Sequence, residues 1–247
     1  MWWPSPLFGD EGRIRLEEAR DLPDWYYVGL VLVVGGFWLA AYMFAIQRAR
    51  LDRRVGIPAV AVAFNIAWEL NDTFIVPHAG WQRPFNFAWF LLDIYIVTQV
   101  LKFGLKDYPA LTPKEFKRFF GGAFLFAVLF IPAAELEIND YYGAYAGLGV
   151  NCVMSMAFIS TLRRRRSSAG QSMYIAGCKG IGSALGVLMS VSLYPESLMI
   201  PVLGATVIIL DTAYARMLYR QIKKEGQSPA AFNRPAVSPP DEKPVTV

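Results

Sequence analysis

IPAVAVAFNIAWELNDTFIV, residues 57–76, has no lysine or arginine, yet carries Asn65, Glu69, Asn71 and Asp72 among its apolar residues. About 20 residues at 1.5 Å rise cross the hydrocarbon core of a bilayer, so this stretch reads as a transmembrane helix. An ionisable side chain in such a helix costs roughly 2.5–3.5 kcal/mol on insertion scales, so it faces a cavity or a partner and marks function. Six further stretches have the same length and character: Asp24 to Ile46, Phe85 to Leu105, Phe119 to Ile138, Tyr142 to Leu162, Gln171 to Tyr194 and Ser197 to Tyr219. The chain therefore reads as an all-α polytopic membrane protein with seven transmembrane helices. Its composition, 55% hydrophobic and only 18% charged, excludes an ordinary soluble domain.

Lysine and arginine concentrate in alternate loops, around Arg48 to Arg54, Lys102 to Arg118, Arg163 to Arg166 and Arg220 to Lys224. The opposite loops carry only Arg83. By the positive-inside rule the N-terminus is outside and the C-terminus cytoplasmic. The net charge of +4 then belongs to loops at anionic lipid headgroups, and no nucleic-acid motif competes with that reading. Residues 1–23, with Trp2, Trp3, Leu7 and Phe8, suit an interfacial segment; 24–220 form the membrane domain; and 221–247, rich in Pro, Ser and charge, read as a disordered cytoplasmic tail. Cys152 and Cys178 fall within spans and read as packing residues, and the lone His78 as a surface residue.

The charged residues converge on one central slab. Counting from the cytoplasmic ends, Glu69 and Asp93 lie about 18 Å deep and Lys179 and Asp211 about 12–13 Å. Asn65, Trp68, Glu69 and Asp72 share one face of the second helix; Trp89 and Asp93 share a face of the third, and Asp211 and Tyr214 of the seventh. Each time an aromatic stands beside a carboxyl. Three or more carboxyls face a single lysine, so at least one is protonated or solvated in a cavity. Lys179 is expected to pair with Asp211 or another carboxylate, or else to be neutral. Glu135 and Glu137 lie near the outer end of the fourth helix, where they can reach interfacial water; Glu135 faces either a cavity or that interface. Gly177, Gly180, Gly182, Ser183 and Gly186 permit close packing of the sixth helix or leave room for a ligand.

A protonated carboxyl, excluded water and aromatic faces are what an acid-initiated carbocation cascade needs. Glu69 would be the acid, Asp72, Asp93 or Asp211 would set its proton affinity, and Trp68, Trp89 and Tyr214 would stabilise positive charge. The segments Asn65-Ile66-Ala67-Trp68-Glu69, Trp89-Phe90-Leu91-Leu92-Asp93 and Asp211-Thr212-Ala213-Tyr214 resemble those of the integral-membrane terpene cyclases of meroterpenoid and indole-terpenoid biosynthesis, the cyclases of the paxilline, pyripyropene and drimentine pathways. The resemblance covers nearly the whole chain in length, span number and motif order. It implies cyclisation of a linear prenyl chain on an indole or other aromatic acceptor, begun by protonation of a terminal epoxide or olefin. It assigns the essential acids to Glu69 and Asp211. It implies no metal and no cofactor, a lipophilic prenylated substrate reached through the bilayer, a prenyltransferase or epoxidase as pathway partner, and either a bacterial cytoplasmic membrane or a fungal endoplasmic reticulum.

The sequence has neither the Asp-Asp-x-x-Asp cluster that holds magnesium nor the Asp-x-Asp-Asp acid motif of soluble cyclases. A proton-coupled small-molecule transporter would also hold carboxyls near the midplane, but no internal repeat or broken helix supports it. A retinal protein would carry its lysine in the last helix.

Overall fold

The computed structural model describes residues 19–76 and 82–237. Seven α-helices account for most of them: α1 Asp24–Asp52, α2 Ala59–Leu70, α3 Gln82–Phe103, α4 Pro113–Glu137, α5 Ala144–Arg165, α6 Met173–Leu193 and α7 Met199–Lys224. No strand occurs among the described residues. Residues 1–18, His78 and Trp81 lie outside them.

Six of these helices are long and apolar enough to cross a membrane. The exception is α2, which falls within residues 57–76. It is α-helical for only 12 residues and continues as a π-helical turn, Asn71–Ile75. Eight of those 12 residues are buried, and the helix packs on α3, α4 and α5. Ala59, Ala61, Ala63 and Ala67 let these neighbours approach closely. Being shielded from lipid, α2 can carry Asn65 and Glu69, and the π turn Asn71 and Asp72, without exposing them to hydrocarbon.

Local signals set the helix ends. Thr112 and Glu115 form a reciprocal capping box, with Pro113 in the first turn of α4. Asp140 accepts from the N–H groups of Ala144 (2.8 Å) and Ala146 (2.9 Å) at the start of α5, and Ser172 caps α6 by accepting from Ile175 N–H. Outward-facing apolar side chains such as Leu125, Leu129, Val202 and Ile209 are more than half exposed, the inverse of a soluble helix bundle.

Arg48, Arg54 and Arg165, expected at the headgroups, are instead turned inward. Arg48 pairs with Asp52 at 2.6 Å, and Asp107 receives Arg165 at 2.5 Å and Arg54 at 3.4 Å. These pairs tie α1, α5 and the Gly104–Asp107 3-10 turn after α3 together at the end of the bundle bearing the basic loops.

The tail also departs from expectation. Helix α7 runs on to Lys224, and the chain beyond packs as far as Val237 rather than unfolding. Buried Arg234 donates to Ser168 Oγ (2.8 Å), Gln227 Oε1 (2.9 Å) and the Gln171 carbonyl (2.6 Å). Arg48 donates to the carbonyls of Arg234 and Pro235, both at 2.9 Å. Paired cations and backbone acceptors hold this segment down, where its Pro- and Ser-rich composition predicts disorder.

Candidate active site

A cavity of about 110 Å³ opens among the halves of α1, α2, α3, α5 and α6 that lie away from the basic loops. Helix α2 contributes Asn65, Trp68 and Glu69; α3 contributes Trp89; α1 contributes Trp38 and Tyr42. Gln82 and Tyr142 stand at the end remote from the basic loops, and Tyr42, Asn65 and Met154 lie deeper.

Glu69 is 1% exposed, yet its Oε2 has no hydrogen-bond partner among the described residues. The ionisable groups that act on it are two more carboxyls, Asp93 and Asp72. Asp93 stands just behind the wall: Asn65 Nδ2 donates to its Oδ2 at 2.6 Å and also to the Tyr42 hydroxyl. One amide thus ties α1, α2 and α3 together beside Glu69. Trp89, 6% exposed, packs on Phe85 with ring centroids 5.8 Å apart.

The expected slab divides into three groups. Around the cavity stand Asn65, Trp68, Glu69 and Trp89, with Asp93 one bond behind. Lys179 and Asp211 form a second group, paired at 2.6 Å, as one of the sequence expectations has it. Lys179 Nζ also donates to Asn151 Oδ1 (2.8 Å) and Ser155 Oγ (2.7 Å), and lies 5.7 Å from the Trp38 ring centroid. Neither Lys179 nor Asp211 lines the cavity, but Asn151 and its partner Ser183 do, joined at 2.9 Å. Asp72 belongs to the third group, turned toward α4, where Asn71 Nδ2 donates to Asp72 Oδ1 (2.8 Å) and to Glu135 Oε2. Tyr214 packs on Phe158, centroids 5.0 Å apart, and does not reach the cavity.

Residues that carry no charge were missed in the sequence. Trp38 and Tyr42 lie one turn apart on α1, and Asn151 and Ser155 one turn apart on α5. That spacing was the available signal, since neutral polar groups sharing one face of a spanning helix must also find partners. Among the described residues no three His, Cys, Asp or Glu side chains stand together as a metal site.

The arrangement places an unpaired carboxyl on the wall of an aromatic-lined cavity in a membrane-spanning helix bundle. The Pyr4-family terpene cyclase mfmH of Annulohypoxylon moriforme is 29% identical over 209 residues, 80% of this chain and 86% of that protein. The terpene cyclase olcD of Penicillium canescens is 26% identical over 227 residues, 86% of this chain and 91% of its own. No solved structure gives a significant match. The profile of one family matches residues 23–225, a stretch that includes all seven helices whole, and on that match the chain belongs to the Pyr4-like transmembrane terpene cyclases.

Proposed function

We propose that the protein is a proton-initiated cyclase in which Glu69 is the general acid. The observation that carries this is the Glu69 carboxyl: buried, on the cavity wall, with an oxygen that has no hydrogen-bond partner among the described residues and with carboxyls rather than a cation beside it. An uncompensated carboxylate in such surroundings is costly, so the group holds its proton until a substrate takes it. Lys179 is committed to Asp211 and leaves Glu69 an acid. Proton transfer to a terminal alkene or epoxide generates a carbocation; Trp38, Trp68 and Trp89 offer their faces to the migrating charge. Loss of a proton from the final cation gives a cyclic isomer of the substrate.

The substrate on this reading is the linear prenyl chain of a prenylated indole or related aromatic, reaching the cavity through the bilayer after a prenyltransferase or epoxidase has acted. The reaction ionises no diphosphate and asks for no metal. The chain crosses the membrane seven times with its N-terminus outside and its basic loops in the cytoplasm, α2 completing the second crossing inside the bundle. Asp211 acts as a positioning residue: through Lys179 it holds Asn151 and, beyond it, Ser183 on the cavity wall.

Membranes bearing wild type or Glu69→Gln, fed prenylated indoles with and without a terminal epoxide, test the reading by mass spectrometry and NMR. An isomer of unchanged mass from wild type, lost in Glu69→Gln, is the expected result. Undiminished cyclisation by Glu69→Gln overturns Glu69 as the acid.

A further inference from the structure

Three buried carboxyls outside the cavity have no part in the reaction just described. Asp72, Glu135 and Asp140 are 0%, 2% and 2% exposed. Asn71 bridges the first two, and the Asp72 and Glu135 carboxyls are themselves within hydrogen-bonding reach of one another. Two carboxyls can hydrogen bond only if one of them holds a proton, so this pair stores one. Glu135 Oε1 has no further partner among the described residues.

The cluster connects two environments. On its inner side, Asp72 is one of the two carboxyls that act on Glu69, one turn away along the same chain segment. The π turn begins at Asn71, between them, so the helix changes pitch where the cavity face gives way to the face on α4. On its outer side, Glu135 lies two residues before the end of α4, and Asp140 follows in the loop to α5 beside exposed Asn139. Burial pushes the Asp140 carboxyl up to about 6. Protons from water at the α4–α5 loop thus meet a succession of acids that ends at Glu69.

We propose that Asp140, Glu135 and Asp72 form a proton relay that returns Glu69 to its acid form after each turnover, drawing on water at the end of the bundle opposite the basic loops. The proposal rests on Glu69 being the acid. In each cycle Glu69 gives a proton to the alkene or epoxide, the last carbocation gives one to a base that passes it to water, and Asp72 reprotonates Glu69. Glu135 in turn resupplies Asp72. One proton enters and one leaves, and the product is an isomer of the substrate.

The test separates the first turnover from those that follow. Full-length protein in lipid vesicles is mixed with a prenylated substrate that wild type cyclises, first with enzyme in excess and then with substrate in excess, for wild type, Asp72→Asn, Glu135→Gln and Glu69→Gln. The relay requires that Glu135→Gln retain a single-turnover rate within about threefold of wild type but lose at least tenfold in steady state, and that Asp72→Asn, which also removes a carboxyl beside Glu69, lose at least tenfold more in steady state than in the single turnover. Formate, a small diffusible acid, should restore part of the steady-state rate. The single-turnover amplitude counts competent molecules, so a poorly folding variant is recognised, and Glu135→Gln carries the test if Asp72→Asn does not fold. Wild-type steady-state rates in both variants overturn the relay, as does an equal loss in both regimes. Wild-type activity in Glu69→Gln instead sinks the acid assignment itself.

Discussion

The three donors of the Lys179 ammonium are all spoken for, by Asp211 Oδ1, Asn151 Oδ1 and Ser155 Oγ. Asp211 Oδ1 in turn accepts from Ser155, at 2.7 Å. Removing one member of a buried pair strands the other, at a cost of about 3–5 kcal/mol, whereas replacing both by apolar side chains is often neutral. Lys179→Met and Asp211→Leu should each lower the melting temperature in detergent sharply, and the double variant should be more stable than either single one. A double variant whose loss equals the sum of the single losses would show that the pair is not coupled. The two charges could be read in the sequence because each interrupts an apolar run. Their neutral partners, Asn151 and Ser155, were legible only as sharing one face of α5, because asparagine and serine inside an apolar stretch give no sign of which helix that face will meet. Only the fold brings Asn151 of α5 between Lys179 of α6 and the cavity. Tyr214 shares a helix face with Asp211, but it lies one turn nearer the basic loops, packed on Phe158 and away from the cavity.

Helix α6 shows how one composition serves three purposes. A methyl group added at Gly177 meets nothing within 4 Å on an exposed face, one at Gly186 points into open space on the cavity wall, and one at Gly182 would come within 3.0 Å of the Trp38 ring. The sequence left packing and ligand room open, and the structure divides them along the helix: Gly182 sets the approach of α1, while Gly186 and Ser183 leave space. Gly177→Ala is therefore expected to stabilise α6 by about 0.5–1 kcal/mol, from helix propensity alone, with cyclisation unchanged. Gly186→Leu should leave the melting temperature nearly unaltered but cut cyclisation at least tenfold by filling the cavity. A Gly186→Leu variant with wild-type turnover would mean that the substrate does not occupy this side of the cavity. The same division explains why α2 was legible as a polar wall but not in its length. Its apolar residues are mostly alanine and valine turned toward other helices rather than lipid, and hydrophobicity alone cannot distinguish the two surroundings.

The arrangement of charge along the bundle couples its two ends to different tasks. Away from the basic loops, carboxyls gather without cations, around the cavity and along α4. Toward the basic loops, cations and carboxylates pair, and the segment after α7 is drawn into that network. Phe232 anchors it as well, its ring 5.7 Å from Phe44 of α1 and 5.2 Å from Tyr174 of α6. Composition pointed to disorder because it averages over Pro and Ser, while a single buried Arg234 and one aromatic are enough to fix the chain. Residues 226–237 lie beyond the stretch matched by the family profile, so this clamp is read from the structure alone. Removing residues 228–247 deletes Arg234 and takes from Arg48 its two carbonyl acceptors, leaving that buried guanidinium with Asp52. Hydrogen bonds to charged groups contribute about 1.5–3 kcal/mol each, so the truncated protein should lose several kcal/mol of stability, and Arg234→Ala should reproduce much of the loss. The cavity lies among the opposite halves of the helices, so cyclisation per folded molecule should be unchanged in both variants. Thermal unfolding in detergent, read alongside single-turnover amplitude, measures the two quantities separately. An unaltered melting temperature in the truncated protein would show that the segment adds nothing to the bundle, and a slower single turnover at full amplitude would show that the clamp reaches the site.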